Sequence, residues 1–218
     1  MKKLLLTIVL SVFYVSSASA EMGVNVGVSG QAGIFAASAT ESTGTTKKGN
    51  GSEHGSAGWG SVFVEGTFND RFIIGIDYVP QSLETDTTET AKSDKGVGAV
   101  TATTVTNKVQ VDFEDLTTIY GTFDFNDNIY AKLGYMEVDA ISNETLATGG
   151  KYGNATLDGY TVGLGYKRDL VSATFIRLEA SYSEFDGVTL INTVDTSKRV
   201  TVDGLSGYGA KISVGKSF

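Results

Sequence analysis

The chain has 218 residues, a formal charge of -8, one His, one Pro, no Cys and 27 Gly. Without cysteine there is neither a disulfide scaffold nor a thiolate metal site, and the acidic balance opposes nucleic-acid binding. Glycine stands well above its usual ~7% while Thr and Val are abundant, which favours strands joined by loops over helices.

Residues 1–20, MKKLLLTIVLSVFYVSSASA, join Lys2 and Lys3 to an apolar run from Leu4 to Val15 and end on Ala18, Ser19 and Ala20. This is the pattern of a secretory signal peptide, with cleavage expected after Ala20. The apolar run falls short of the ~20 residues of a spanning helix. The mature domain would then be 21–218, and loss of the two signal lysines takes its charge from -8 to -10. No second apolar run follows, so membrane residence would have to be achieved with strands.

Period-two alternation marks eight candidate segments: Met22 to Ala37, Gly58 to Phe68, Phe72 to Val79, Val109 to Phe125, Ile129 to Asp139, Thr156 to Tyr166, Phe175 to Ser183 and Leu205 to Phe218. Their connections alternate in length. Asn69–Arg71, Asn126–Asn128 and residues 167–174 are tight turns, whereas 38–57, 80–108, 140–155 and 184–204 are long and polar. Such alternation puts the short turns at one end of a sheet and the long loops at the other. The expected fold is all-β: an eight-stranded antiparallel up-and-down transmembrane β-barrel, closed because lipid cannot satisfy a sheet edge.

The apolar columns are read as facing lipid. Phe68, Phe72, Phe125, Tyr166 and Phe218 stand beside the short turns, and Tyr78, Tyr135, Tyr160, Tyr182 and Tyr208 beside the long loops, as two aromatic girdles would. The opposite faces carry Glu65, Asp77, Asp124, Lys132, Lys167, Arg177, Glu179 and Lys211. Four acids and four bases inside a narrow barrel imply an ion-paired plug, because an unpaired buried charge is costly. The inward glycines Gly75, Gly134, Gly163, Gly165 and Gly215 keep a second reading open, a narrow pore for small solutes.

Catalysis by a lipid A-modifying barrel would require His54, with Ser93 and Asp94, to meet within hydrogen-bond reach. The flexible composition around His54 gives no sign of such placement, so no enzyme activity is expected. The loop acids Glu84, Asp86, Glu89, Glu184 and Asp186 show no regular ligand spacing, so neither metal nor cofactor is expected.

The last segment alternates Tyr208, Ala210, Ile212 and Val214 and ends on the aromatic Phe218. Lys216 interrupts this outward column and is tolerable only near the rim, where its stem lies along apolar surface and its ammonium reaches the headgroups. In its architecture and in this ending, the mature chain resembles the small outer-membrane β-barrel family that includes the OmpA transmembrane domain, OmpX and the opacity-type surface proteins. The resemblance implies that Tyr208, Ile212, Val214 and Phe218 form the signal read by the barrel-assembly machinery. It also implies an outer-membrane location, a monomer in contact with lipid and lipopolysaccharide, and a structural or surface-interaction role whose extracellular ligand is open. The peptidoglycan-binding domain of full-length OmpA is not expected here, so the resemblance does not imply cell-wall tethering.

Overall fold

In a computed structural model of the chain, residues 22–68 and 71–218 are described. The expected signal peptide and its cleavage point lie outside these residues, as do Asn69 and Asp70 of the first short turn. The elements in order are β1 (Met22–Thr43), β2 (Thr46–Phe68), β3 (Phe72–Tyr78), β4 (Leu83–Glu84), β5 (Thr88–Asp94), β6 (Thr103–Asp124), β7 (Ile129–Thr145), β8 (Ala155–Asp169), a 3-10 turn (Val171–Ala173), β9 (Thr174–Phe185), β10 (Val188–Ile191) and β11 (Lys198–Ser217).

Eight of these form a ring in the order β1, β2, β3, β6, β7, β8, β9, β11, each antiparallel to the next, and β11 closes on β1 from Asn25↔Ser217 to Thr43↔Lys198. Phe218 exchanges both backbone hydrogen bonds with Val24, at 2.8 and 3.1 Å, so the ladder runs to the last residue. Closure leaves no sheet edge within the apolar band. From Tyr208 to Phe218 the outward column of β11 spans roughly 33 Å of strand. At the usual ~40° tilt this is about 25 Å of height, enough for an outer-membrane hydrocarbon layer.

The strands run well past their expected ends. β1 and β2 form one hairpin that turns at Gly44, and β6, β7 and β11 likewise extend into stretches expected to be loops. These extensions are rich in Thr, Ser and Gly and have water or the lumen on either face. They therefore carry no apolar alternation, although their ladders are continuous. In β6 a bulge between Glu114 and Thr117, with Asp115 at φ 56°, shifts the inward set so that Phe113 and Leu116 both join the interior.

The inward glycines of the lower barrel are packed against groups from neighbouring strands. A Cβ on Gly165 would lie 2.1 Å from the Tyr130 ring, one on Gly215 2.3 Å from Phe175, and one on Gly75 2.7 Å from Tyr120. Rings from neighbouring strands stand beside these three, while a Cβ on Gly134 would meet Thr118 and Thr161 at 3.0 Å and one on Gly163 would meet Glu179 at 3.4 Å, so the glycines do not by themselves argue for a pore.

Candidate functional site

The barrel interior is layered. At its centre Glu65, fully buried, receives two hydrogen bonds from the Arg177 guanidinium at 2.5 and 2.9 Å, one from the Tyr120 hydroxyl at 2.7 Å and one from Asn25 at 3.0 Å. A bidentate guanidinium–carboxylate pair with its remaining lone pairs satisfied is the geometry in which a buried charge is tolerable. Arg177 is stacked on the Phe175 ring, 4.4 Å from its centroid.

Around this pair, Lys211 donates to Asp77 at 2.5 Å, and Asp77 also accepts from Ser61, which meets Ser29 and Gln31. Lys132 donates to Glu179 at 2.6 Å, and Tyr130 donates to the other oxygen of the same carboxylate at 3.1 Å. Near the short-turn end Lys167 pairs with Asp124. All eight charges singled out in the sequence thus meet as four pairs, and three of them lie in one connected layer.

Above this layer, toward the long connections, the interior turns apolar. Met136, Val138, Leu157 and Phe185 are buried together, with Phe113, Leu116 and Leu205 packed against them. Sequence reasoning missed this cap, although Met136 and Val138 share the parity of Lys132 and Phe185 that of Glu179. The signal was present but was read only for its charged members.

Two cavities flank the centre. One of about 180 Å³ opens at the short-turn end beside Asn25, Asp124, Lys167 and Arg177. The other, about 50 Å³, lies beneath the apolar cap beside Phe35, Trp59, Val79, Met136 and Lys211. They share no lining residue. Between them stands the Glu65–Arg177 pair with the Phe63, Tyr120 and Tyr130 rings.

The outer wall carries exposed Val28, Val62, Ile74, Leu133, Leu164, Leu178, Ile212 and Val214. At its short-turn rim Phe123 contacts both Phe72 and Phe125, with ring centroids 5.1 and 5.4 Å away. Phe218 is exposed there, and Lys216 places its ammonium 5.1 Å from the Phe218 ring centre. At the opposite rim the tyrosines donate to carboxylates: Tyr78 to Asp115 at 2.7 Å, Tyr135 to Asp158 at 2.5 Å, and both Tyr160 and Tyr182 to Glu184 at 2.6 and 2.8 Å. An apolar ring body with a polar tip aimed toward water suits a membrane interface. Those two hydroxyls, Tyr160 first, hold the Glu184 carboxyl below its ordinary range.

His54 lies on β2, while Ser93 and Asp94 lie on β5. Asp94 meets Lys92 and Lys198 at 3.8 and 3.9 Å. Glu89 pairs with Lys108 at 2.6 Å. The long connections also bond to one another: Val97 N–H donates to Ala147, Thr193 N–H to Lys151 and Gly44 N–H to Ser197.

No protein-family model matches the chain, and no curated protein is significantly similar in sequence. Among solved structures, the attachment invasion locus protein Ail of Yersinia pestis, solved with the heparin analogue sucrose octasulfate, is 14% identical, with a TM-score of 0.32 over 85% of this chain and 98% of that one. Neisserial surface protein A is also 14% identical, with a TM-score of 0.30 over 85% and 96%. The outer-membrane protein AlkL is 9% identical, with a TM-score of 0.48 over 93% of each chain. All three are β-barrels, and at these identities the likeness concerns fold alone.

Proposed function

We propose that this chain is an integral outer-membrane β-barrel with a structural or surface-interaction role, monomeric, without catalytic activity or cofactor, and presenting a folded crown to the outside. The carrying observation is the combination of a closed ring greasy on its outer wall with a lumen filled by ion pairs and rings. An apolar cylinder bounded by two aromatic rims is stable only in a bilayer, and a filled lumen suits a scaffold better than a conduit. Its outer wall would contact outer-membrane lipid and lipopolysaccharide. Tyr208, Ile212, Val214 and Phe218 are all exposed on the outer face of the closing strand, which supports reading them as the signal recognised by the barrel-assembly machinery during insertion.

Two measurements test this reading. Unheated protein in detergent should migrate differently on a gel from boiled protein; identical mobility, with solubility in plain buffer, would overturn the barrel assignment. Planar bilayers containing the protein should show no discrete conductance steps, whereas regular steps would replace the scaffold by a pore.

A further inference from the structure

The wall of the crown is open on one side, and the chain's single proline marks the place. Below it, β2 pairs with β3 from Phe68↔Phe72 to Val62↔Tyr78. Val79 still donates its N–H to Leu116, but Pro80 has no N–H to give, and β3 ends at Tyr78. When the chain resumes pairing, the ladders of β4 and β5 are with β6 alone, while side chains of β5 reach across the crown, Lys92 to Glu41 of β1 and Asp94 to Lys198 of β11, each at 3.9 Å. β2 meanwhile continues upward to Thr46 with β1 as its one ladder partner. Among the described residues, 46–61 therefore have a free backbone edge, and β5 presents another across the opening.

The free stretch of β2 reads TKKGNGSEHGSAGWGS. Gly49, Gly51 and Gly55 have no positive φ and nothing within 4 Å of where a Cβ would stand, so no packing in the molecule requires glycine there. They share the parity of Ala57, Trp59 and Ser61, whose side chains face the lumen. Of the four inward positions above Ala57 only Glu53 carries a side chain, so the inner face beside the opening is bare at the other three, down to the apolar rim made by Phe35, Trp59 and Val79. Natural edges of this length are usually blunted along their whole course by charge or bulges. Here Lys47, Lys48 and a register shift guard only the tip, and Glu53 is the single acid below them.

We propose that this edge of β2 takes up an extended segment of an external polypeptide as an added strand, antiparallel to β2 and in the position β3 would have occupied. The inference rests on the surface-interaction reading above and names the partner class. Backbone groups of 46–61 would supply the hydrogen bonds, as in other strand-addition interfaces. The bare positions at Gly49, Gly51 and Gly55 would receive bulky apolar or aromatic side chains at alternate positions of the incoming strand, which cover strand glycines well. Lys47 and Lys48 favour an acidic residue at the partner's outer end. A second copy in the same membrane fits poorly. Both barrels would point the same way, so their tilted β2 edges would cross at about twice the ~40° strand tilt instead of aligning.

The test uses the full-length mature chain in detergent micelles, after the gel-shift assay has verified the barrel. The probe is a fluorescent peptide, Thr-Val-Thr-Tyr-Thr-Phe-Thr-Val-Thr-Asp, whose carboxy-terminal Asp comes to lie at the Lys47 and Lys48 end in the antiparallel orientation, followed by anisotropy and by amide hydrogen exchange of the protein. Saturable binding is expected, with exchange slowed at least tenfold within residues 46–61 and unchanged within 62–68. A control peptide with the central Phe replaced by Pro should bind at least tenfold more weakly. The triple variant G49V/G51V/G55V, which fills open space and should leave the gel shift intact, is expected to lower affinity at least tenfold. Equal binding of the proline peptide, protection elsewhere only, or no saturable binding to a barrel that passes the gel-shift assay would each overturn the strand-addition proposal while leaving the barrel standing. Failure of the gel-shift assay would remove the barrel reading itself. Dimerisation through β2, seen as a doubled protein mass in micelles without peptide, would also overturn the proposal.

Discussion

β2 belongs to two different worlds. Its lower part, 62–68, has ladders on both sides, alternates Val62 and Val64 outward with Phe63 and Glu65 inward, and supplies the carboxylate at the barrel's centre. Its upper part, 46–61, has one ladder and five glycines, and only Ser61 at its lower end reaches the ion-paired layer. The lower ring is over-determined by closure, lipid-facing residues and ion pairs acting together; the crown is held by backbone ladders and contacts between connections. The same strand thus shows what a bilayer demands and what an aqueous surface leaves free.

If that contrast is right, damage at the centre should be felt globally. Arg177→Met leaves Glu65 buried without its partner, and the expected loss is about 3–5 kcal/mol in denaturant unfolding of the folded barrel. Replacing both, as E65L/R177M, should recover a large part of that loss; equal damage by the single and double variants would argue against the pairing.

Next in size is a charge placed on the outer wall. Leu178→Arg, midway between the rims on β9, should cost about 2–4 kcal/mol in a bilayer. Ser56→Arg, on the outer face of the crown, should change stability by less than about 0.5 kcal/mol. Similar costs at the two sites would erase the distinction between the regions.

The smallest effect concerns the outer rim. Hydrogen bonds from Tyr160 and Tyr182 hold the Glu184 carboxyl below its ordinary range, so its contribution is present above the unfolded-state value and is lost as pH falls through the folded one. Stability measured from about pH 6 to about pH 3 should therefore decline slightly less steeply in E184Q than in the unchanged chain. A steeper decline in E184Q would give the interaction the wrong sign.

The lower ring was legible because a bilayer imposes two strict signals, period-two apolar alternation and aromatic rims. Residues such as Ile74, Leu133 and Leu178 carry the first and Phe72 and Tyr160 the second. The charged interior followed by parity from the same columns. The crown was not legible, since its strands satisfy hydrogen bonds without burying an apolar face, and TKKGNGSEHGSAG reads as loop by composition. Phe63, Tyr120, Tyr130 and Phe175 were overlooked inside for a different reason: an interior expected to be polar drew attention away from the rings that fill the glycine gaps. Pro80, read alone, gave no hint that its missing N–H opens the wall.

The most direct test of the whole account is the environment of spin labels placed singly at Val64, Leu164 and Ser56 in protein reconstituted into lipid vesicles. Collisions with oxygen should dominate at Val64 and Leu164, and collisions with a water-soluble nickel chelate at Ser56. Preferential access of the chelate to Val64 and Leu164 would contradict the account, because those side chains would then face water and the greasy-walled cylinder would not exist.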